Sequence, residues 1–169
     1  MVRLRELLRE LHESVPIPRP WHLETYVAAV AAHRGRPITL TALSTAALTG
    51  GCGAGTGLWI RRRDDDIIVY DQDAVALHAQ HIVLHEIGHM LLGHDRRPRP
   101  ADPHTGATLA ALLPSISAQS IEDVLSRNAY DDEIERHAEA FADATALAAG
   151  SPAPSRASMR HSLLGGRRP

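Results

Sequence analysis

Between Val75 and Leu92 the chain places Val75, Leu77, Ile82, Val83, Leu84, Ile87, Met90, Leu91 and Leu92 so densely that apolar residues cover nearly the whole circumference of a helix. Only a helix buried in a core suits that pattern, so this segment belongs at the centre of the fold. Four histidines interrupt it. Wound at about 100° per residue, His78, His81, His85 and His89 fall within a stripe about 80° wide. An unpartnered buried polar group is costly, so the stripe calls for hydrogen-bond partners or a metal ion.

His85-Glu86-Ile87-Gly88-His89 within this segment reads HExxH. Two histidines at i and i+4 stand one above the other, with Cβ atoms roughly 5–6 Å apart, and both imidazoles can reach one Zn²⁺. Glu86 follows His85 by one residue and points about 100° around the helix. It flanks the metal without binding it, which suits a general base in metal-assisted hydrolysis. The bland alternative for His85 and His89 is a hydrogen-bonded pair of core histidines. His78 and His81 lie one and two turns earlier and are expected to face a groove or to support the site.

Catalytic zinc usually takes three protein ligands and leaves one position open. A third histidine in the pattern HExxHxxGxxH is ruled out, because position 92 is Leu, position 95 is Asp and His94 is one residue out of place. A glutamate from a second helix is the other source. Residues 131–149 carry acidic residues at their start, favourable to the positive helix terminus, and Gly150 can close the helix. On a helical wheel Ala138, Phe141, Ala142 and Thr145 form the packed stripe. Glu135 lies at its edge, about 60° from Ala138, and Glu133 about 140° away on the other side. Glu135 is therefore expected to face the metal and Glu133 water. Ala138 and Ala142 allow a close helix approach, and Glu139, one turn past Glu135, is placed to hold a ligand imidazole by a hydrogen bond.

HEIGHMLLGH (85–94) followed by EIERHAEAFA (133–142) resembles the ImmA/IrrE family of metallopeptidases, whose second motif has the form ExxAxxFA. Matching Ala138, Phe141 and Ala142 to that motif places its glutamate, the third zinc ligand of the family, at Glu135. RGRPITL (34–40), GLWI (57–60) and DIIVYD (66–71) resemble the strands that precede the metal helix in the family. The likeness covers roughly residues 20–149; Glu139 departs from it, since family members often carry Asn or Asp there. The resemblance implies a thermolysin-like zinc site and a regulatory zinc endopeptidase. A helix-turn-helix repressor encoded nearby is the implied protein substrate. It also leaves open a toxin–antitoxin or regulatory module that binds its partner without cutting it.

Composition agrees with one core in one domain: 169 residues, net charge −2, a single Cys. The charge does not suggest nucleic-acid binding, and one Cys excludes a disulfide framework or a cysteine zinc site. All 18 basic residues are Arg, which with the abundant Ala, Gly and Pro points to a GC-rich bacterial genome. No apolar run reaches transmembrane length and the charged N-terminus has no signal-peptide core, so a cytoplasmic protein is expected.

The expected organisation is an amphipathic helix over 1–14, a metallopeptidase domain over 20–150 and a disordered tail over 151–169. Within the domain, a helix over 21–34 ends before Gly35, and a strand follows over 36–42. Residues 49–57 form a Gly-rich loop without a phosphate-loop ending, where Cys52 reads as a bystander thiol. Residues 57–62 and 66–71 read as a hairpin whose turn, RRRDDD, sets its charges in water. Asp71 or Asp73 can cap the metal helix. Residues 95–116, with Pro98, Pro100, Pro103 and Pro114, form a long loop. His104 in that loop and Tyr130 before the Glu135 helix are candidates for stabilising an oxyanion. The expected fold is α+β: a small, mostly antiparallel sheet packed on the HExxH helix and the helix bearing Glu135, similar to a gluzincin. The strand preceding the metal helix is expected to offer its edge to an extended substrate.

Overall fold

The computed structural model of the chain describes residues 2–44, 57–94 and 132–151. Among them are four helices, α1 (Val2–Ser14), α2 (Leu23–Arg34), α3 (Ala76–Leu91) and α4 (Asp132–Gly150), and three strands, β1 (Ile38–Leu43), β2 (Gly57–Arg61) and β3 (Asp66–Asp71). The fold is α+β. No described helix is long and apolar enough to cross a membrane. The Gly-rich loop with Cys52, the 95–116 loop, and the tail beyond Ser151 lie outside the described residues.

The sheet is mixed rather than mostly antiparallel, with strand order β1-β3-β2. β2 and β3 form the expected hairpin, antiparallel from Gly57↔Tyr70 to Arg61↔Asp66. β1 joins β3 in parallel, from Ile38↔Asp66 to Leu43↔Asp71. The strand before the metal helix is therefore central and has both edges paired, contrary to expectation. Among the described residues β2 pairs on one side only. Leu58, Trp59 and Ile60 on β2 and Ile67, Ile68 and Val69 on β3 are all buried, the continuous apolar signature of strands covered on both faces.

Asp66 explains why β1 takes its place. The sequence pattern puts this residue in an exposed charged turn, yet its side chain is 0 % exposed. Its Oδ2 accepts from Arg34 Nη2 at 3.0 Å and from Arg36 Nε at 3.4 Å, and its Oδ1 accepts from Trp59 Nε1 at 3.1 Å. The Asp66 amide donates to the Pro37 carbonyl at 2.9 Å. A buried carboxylate needs such pairing, and the two arginines come from the C-terminus of α2 and the entry to β1. The hub thus ties β1 to the start of β3. Only the turn itself behaves as expected: Arg62 and Asp65 pair in partly exposed positions, and Arg36 donates to the Arg62, Arg63 and Asp65 carbonyls.

Helix ends follow local chemistry. Gly35 adopts φ 67°, and its amide caps α2 on the Ala31 and Ala32 carbonyls. α3 begins later than a cap at Asp71 or Asp73 would set it. Its N-cap is Val75, with no side-chain cap, because Asp71 closes β3 and its Oδ1 accepts the Asp73 amide at 3.0 Å. Helices α3 and α4 pack closely across the core, where Tyr26, Val30, Trp59, Ile68, Leu84, Ile87 and Phe141 form one apolar cluster. α1 docks on α4: Leu8 joins the same cluster, the His12 ring tilts against Phe141, and His12 Nε2 meets Thr145 Oγ1 at 2.9 Å.

Candidate metal centre

The site lies where α3 and α4 cross. Gly88 sits at the crossing, and a Cβ added there would lie 3.0 Å from the Ala138 carbonyl oxygen and 3.1 Å from Ala138 Cα. The missing side chain at Gly88 and the small one at Ala138 let the two backbones approach this closely. Carboxylates on α4 can then reach imidazoles on α3.

Three donors converge. His85 Nε2 lies 3.0 Å from His89 Nε2 and 3.2 Å from Glu135 Oε2, and His89 Nε2 lies 3.7 Å from Glu135 Oε1. With metal–ligand bonds of 2.0–2.2 Å, tetrahedral donors stand about 3.4 Å apart, so the spacing fits one small cation with little rearrangement. These three residues could hold a metal ion. Of the two glutamates, the Glu135 side chain is 26 % exposed and turned to the imidazoles, whereas Glu133 is 70 % exposed and stands 4.0 Å from His137.

Charge is arranged to suit a cation. Burial raises the Glu135 pKa, but hydrogen bonds from His85 and His89 outweigh it and hold the carboxyl at about 2, so it stays ionised as a ligand must. Burial likewise pulls His85 down, and the hydrogen bond to Glu135 with the nearby carboxylates pulls it up further, for a net rise. Acid therefore competes with a cation here.

Glu86 is 3 % exposed and is not among the converging donors. Burial raises its pKa, and the two imidazoles and the Trp59 backbone N–H oppose that rise. Its carboxylate rests against β2: a Cβ added at Gly57 would lie 2.8 Å from Glu86 Oε1 and 2.5 Å from Ile82 Cγ2. The bare backbone at Gly57 makes room for this side chain.

No protein-family model, curated protein or solved structure matches the chain.

Around the three donors lies a second layer. Glu139 meets two imidazoles, with Oε2 3.2 Å from His85 Nδ1 and Oε1 3.0 Å from His81 Nε2. His81 thus shares the carboxylate that meets His85. On antiparallel helices, His81, His85 and His89 climb one face in steps of four, while Glu135 and Glu139 climb the other. Asp143 extends the acidic side by another turn, and donor atoms of His81, Glu139 and Asp143 also lie within 4.8 Å of one another. His94, set aside as a metal ligand because of its spacing, meets His89 Nδ1 through its own Nδ1 at 2.9 Å. Burial, then the neighbouring His89, holds its pKa down at about 4. Sequence spacing could have suggested Asp143, four residues after Glu139. His94 needed the chain reversal after α3 to be seen. His104 and Tyr130 lie outside the described residues.

Proposed function

We propose that this chain is a zinc-dependent endopeptidase of the ImmA/IrrE type. His85, His89 and Glu135 hold the metal, and Glu86 serves as general base. The observation that carries this reading is the convergence of the three donors from two helices, with a buried carboxylate beside them that is not one of the converging set. Zinc bound there supplies Lewis acidity that polarises a scissile carbonyl and acidifies water. Glu86 takes the water proton and returns it to the leaving amine. Glu139 holds the His85 ring through Nδ1, which leaves Nε2 free to ligate.

The neighbouring strand supports an extended peptide as the substrate. The Glu86 carboxylate lies against Gly57 on β2, and β2 pairs on one side only among the described residues. An extended peptide adding to that edge would run past the base, with its backbone bound by strand pairing. A regulatory cut in a partner protein, such as a helix-turn-helix repressor encoded nearby, is the activity the sequence resemblance favours.

The test is co-expression of the chain with its genomic neighbours, followed by intact-mass analysis of those partners. Wild type should yield a cleaved partner. Glu86→Gln should keep zinc and the partner while losing cleavage by about 10²–10⁴-fold, the usual worth of general acid–base catalysis. A Glu86→Gln phenotype equal to wild type, beside a null His89→Ala, would refute the enzyme and leave a metal-stabilised binding module.

A further inference from the structure

The turn that ends α3 carries a histidine back into the site. The helix closes at Leu91, with Leu92 as C-cap bonding through its amide to the Gly88 carbonyl. Gly93 follows with φ 70°, a left-handed conformation that L side chains rarely adopt. It folds the chain back beneath the last helical turn. His94, five residues past His89, is only 9 % exposed as a result, and its Nδ1 stands 2.9 Å from His89 Nδ1.

Two Nδ1 atoms at that distance share one proton: one nitrogen donates and the other accepts. The metal-facing atom of His89 is Nε2, which lies with His85 Nε2 and Glu135. When Nε2 gives its lone pair to a cation, the neutral ring carries its proton on Nδ1 and must donate there. His94 Nδ1 is then the acceptor, and its own proton sits on Nε2. His85 obtains its acceptor from Glu139, a carboxylate. His89 obtains a neutral one.

We infer that His94 is a positioning residue that fixes the tautomer and ring orientation of the metal ligand His89, and that Gly93 is there to place it. This rests on the proposed metal site and assigns each of its two imidazoles a distinct supporting acceptor. A ligand that loses such an acceptor typically loses about 10–100-fold in metal affinity.

The experiment measures zinc affinity by competition with a chromophoric chelator, and the visible absorption of the cobalt-substituted protein, for the full chain. His94→Leu removes the acceptor and should weaken zinc binding about 10–100-fold and alter the cobalt bands. His94→Asn places an amide oxygen where Nδ1 stood and should restore most of the affinity and the wild-type bands. Gly93→Ala keeps the imidazole but strains the turn. It should shift in the direction of His94→Leu, and it carries the test if His94→Leu does not fold. Equal losses in His94→Leu and His94→Asn would show a packing role and overturn the inference. So would wild-type affinity in His94→Leu, or wild-type affinity and bands in Gly93→Ala. In these cases the metal site itself stands, because wild type loads zinc. A wild type that takes up no zinc overturns the proposed function and this inference together.

Discussion

Replacing Gly88 by alanine adds one methyl group at the crossing of α3 and α4. The new Cβ would lie 3.0 Å from the Ala138 carbonyl oxygen, 3.1 Å from Ala138 Cα and 3.2 Å from Phe141 Cδ1, so its neighbours must give by a few tenths of an ångström. Phe141 can adjust its ring, but the Ala138 atoms are helix backbone and yield only if α4 moves as a body. Overpacking of this kind costs about 1–3 kcal/mol, and the better helix propensity of alanine offsets about 1 kcal/mol of it. The net expectation is a loss of about 1 kcal/mol in stability. The metal site should feel more. Glu135 lies one helical turn from Ala138, and ligand distances tolerate only about ±0.2 Å. Zinc affinity should therefore fall on the order of tenfold, which corresponds to about 1.4 kcal/mol. Urea unfolding of the zinc-stripped protein reads the first quantity, and chelator competition the second. A variant stabilised by the full propensity gain, with unchanged zinc affinity, would show that the close approach of α4 does not set the site.

Three further outcomes are expected. Glu135→Ala should lower zinc affinity strongly while Glu133→Ala leaves it nearly unchanged, measured by the same competition; equal effects would mean that the α4 register is wrong. Asp66→Ala removes the buried counter-ion of Arg34 and Arg36 and the acceptor of the Trp59 N–H, and should cost about 3–5 kcal/mol in urea unfolding. A loss below about 1 kcal/mol, the size of an exposed pair, would refute the hub. His12 is held below its usual pKa by burial against α4, so its folded state favours the neutral ring. That contribution is complete above the unfolded value of 6.5 and is lost as pH falls from there through the folded pKa. The stability gap between wild type and His12→Asn should therefore narrow on acidification; a gap independent of pH would remove His12 from the docking of α1.

The helices were legible because their signals are local and periodic. The apolar circumference of α3 is legible without tertiary knowledge over Ile82–Met90, which is buried throughout, whereas Val75 and Leu77 at its start are 75 % and 80 % exposed, contrary to expectation. Glu135 was separable from Glu133 by about 160° of helical wheel alone, because Ala138, Phe141 and Ala142 announce the packed face. β2 and β3 were legible as a hairpin for the same local reason. The place of β1 was not. A parallel partner for β3 depends on contacts between distant segments, above all on Arg34 and Arg36 reaching Asp66, and Asp66 hides within a run of six charged residues whose other members are only partly buried or exposed. A charge run reads as solvated until one of its members is seen to be the counter-ion of two arginines 30 or more residues away.

The same distinction between local and non-local signals accounts for the site. Its proposed ligands lie at spacings a helix dictates, four residues apart on α3 and at the packed edge of α4, so residue type and period suffice to nominate them. Their support does not. Glu139 can be named from its spacing, since it lies one turn beyond Glu135 on the same helix. His94 cannot, because it stands past the helix end, where the period of α3 no longer applies and a single left-handed residue decides the direction of the chain. The two imidazoles that look equivalent in HExxH are therefore held differently: His85 by a partly exposed carboxylate shared with His81, and His89 by a buried neutral ring. A carboxylate acceptor makes its ligand more basic and more electron-rich than a neutral acceptor does. Glu139→Gln should accordingly mimic at His85 the milder support that His94 gives His89, with a smaller loss of zinc affinity than His94→Leu, which takes the His94 acceptor away from His89 altogether. The reverse order would mean that charge at Glu139, rather than the presence of an acceptor on each ring, holds the site together.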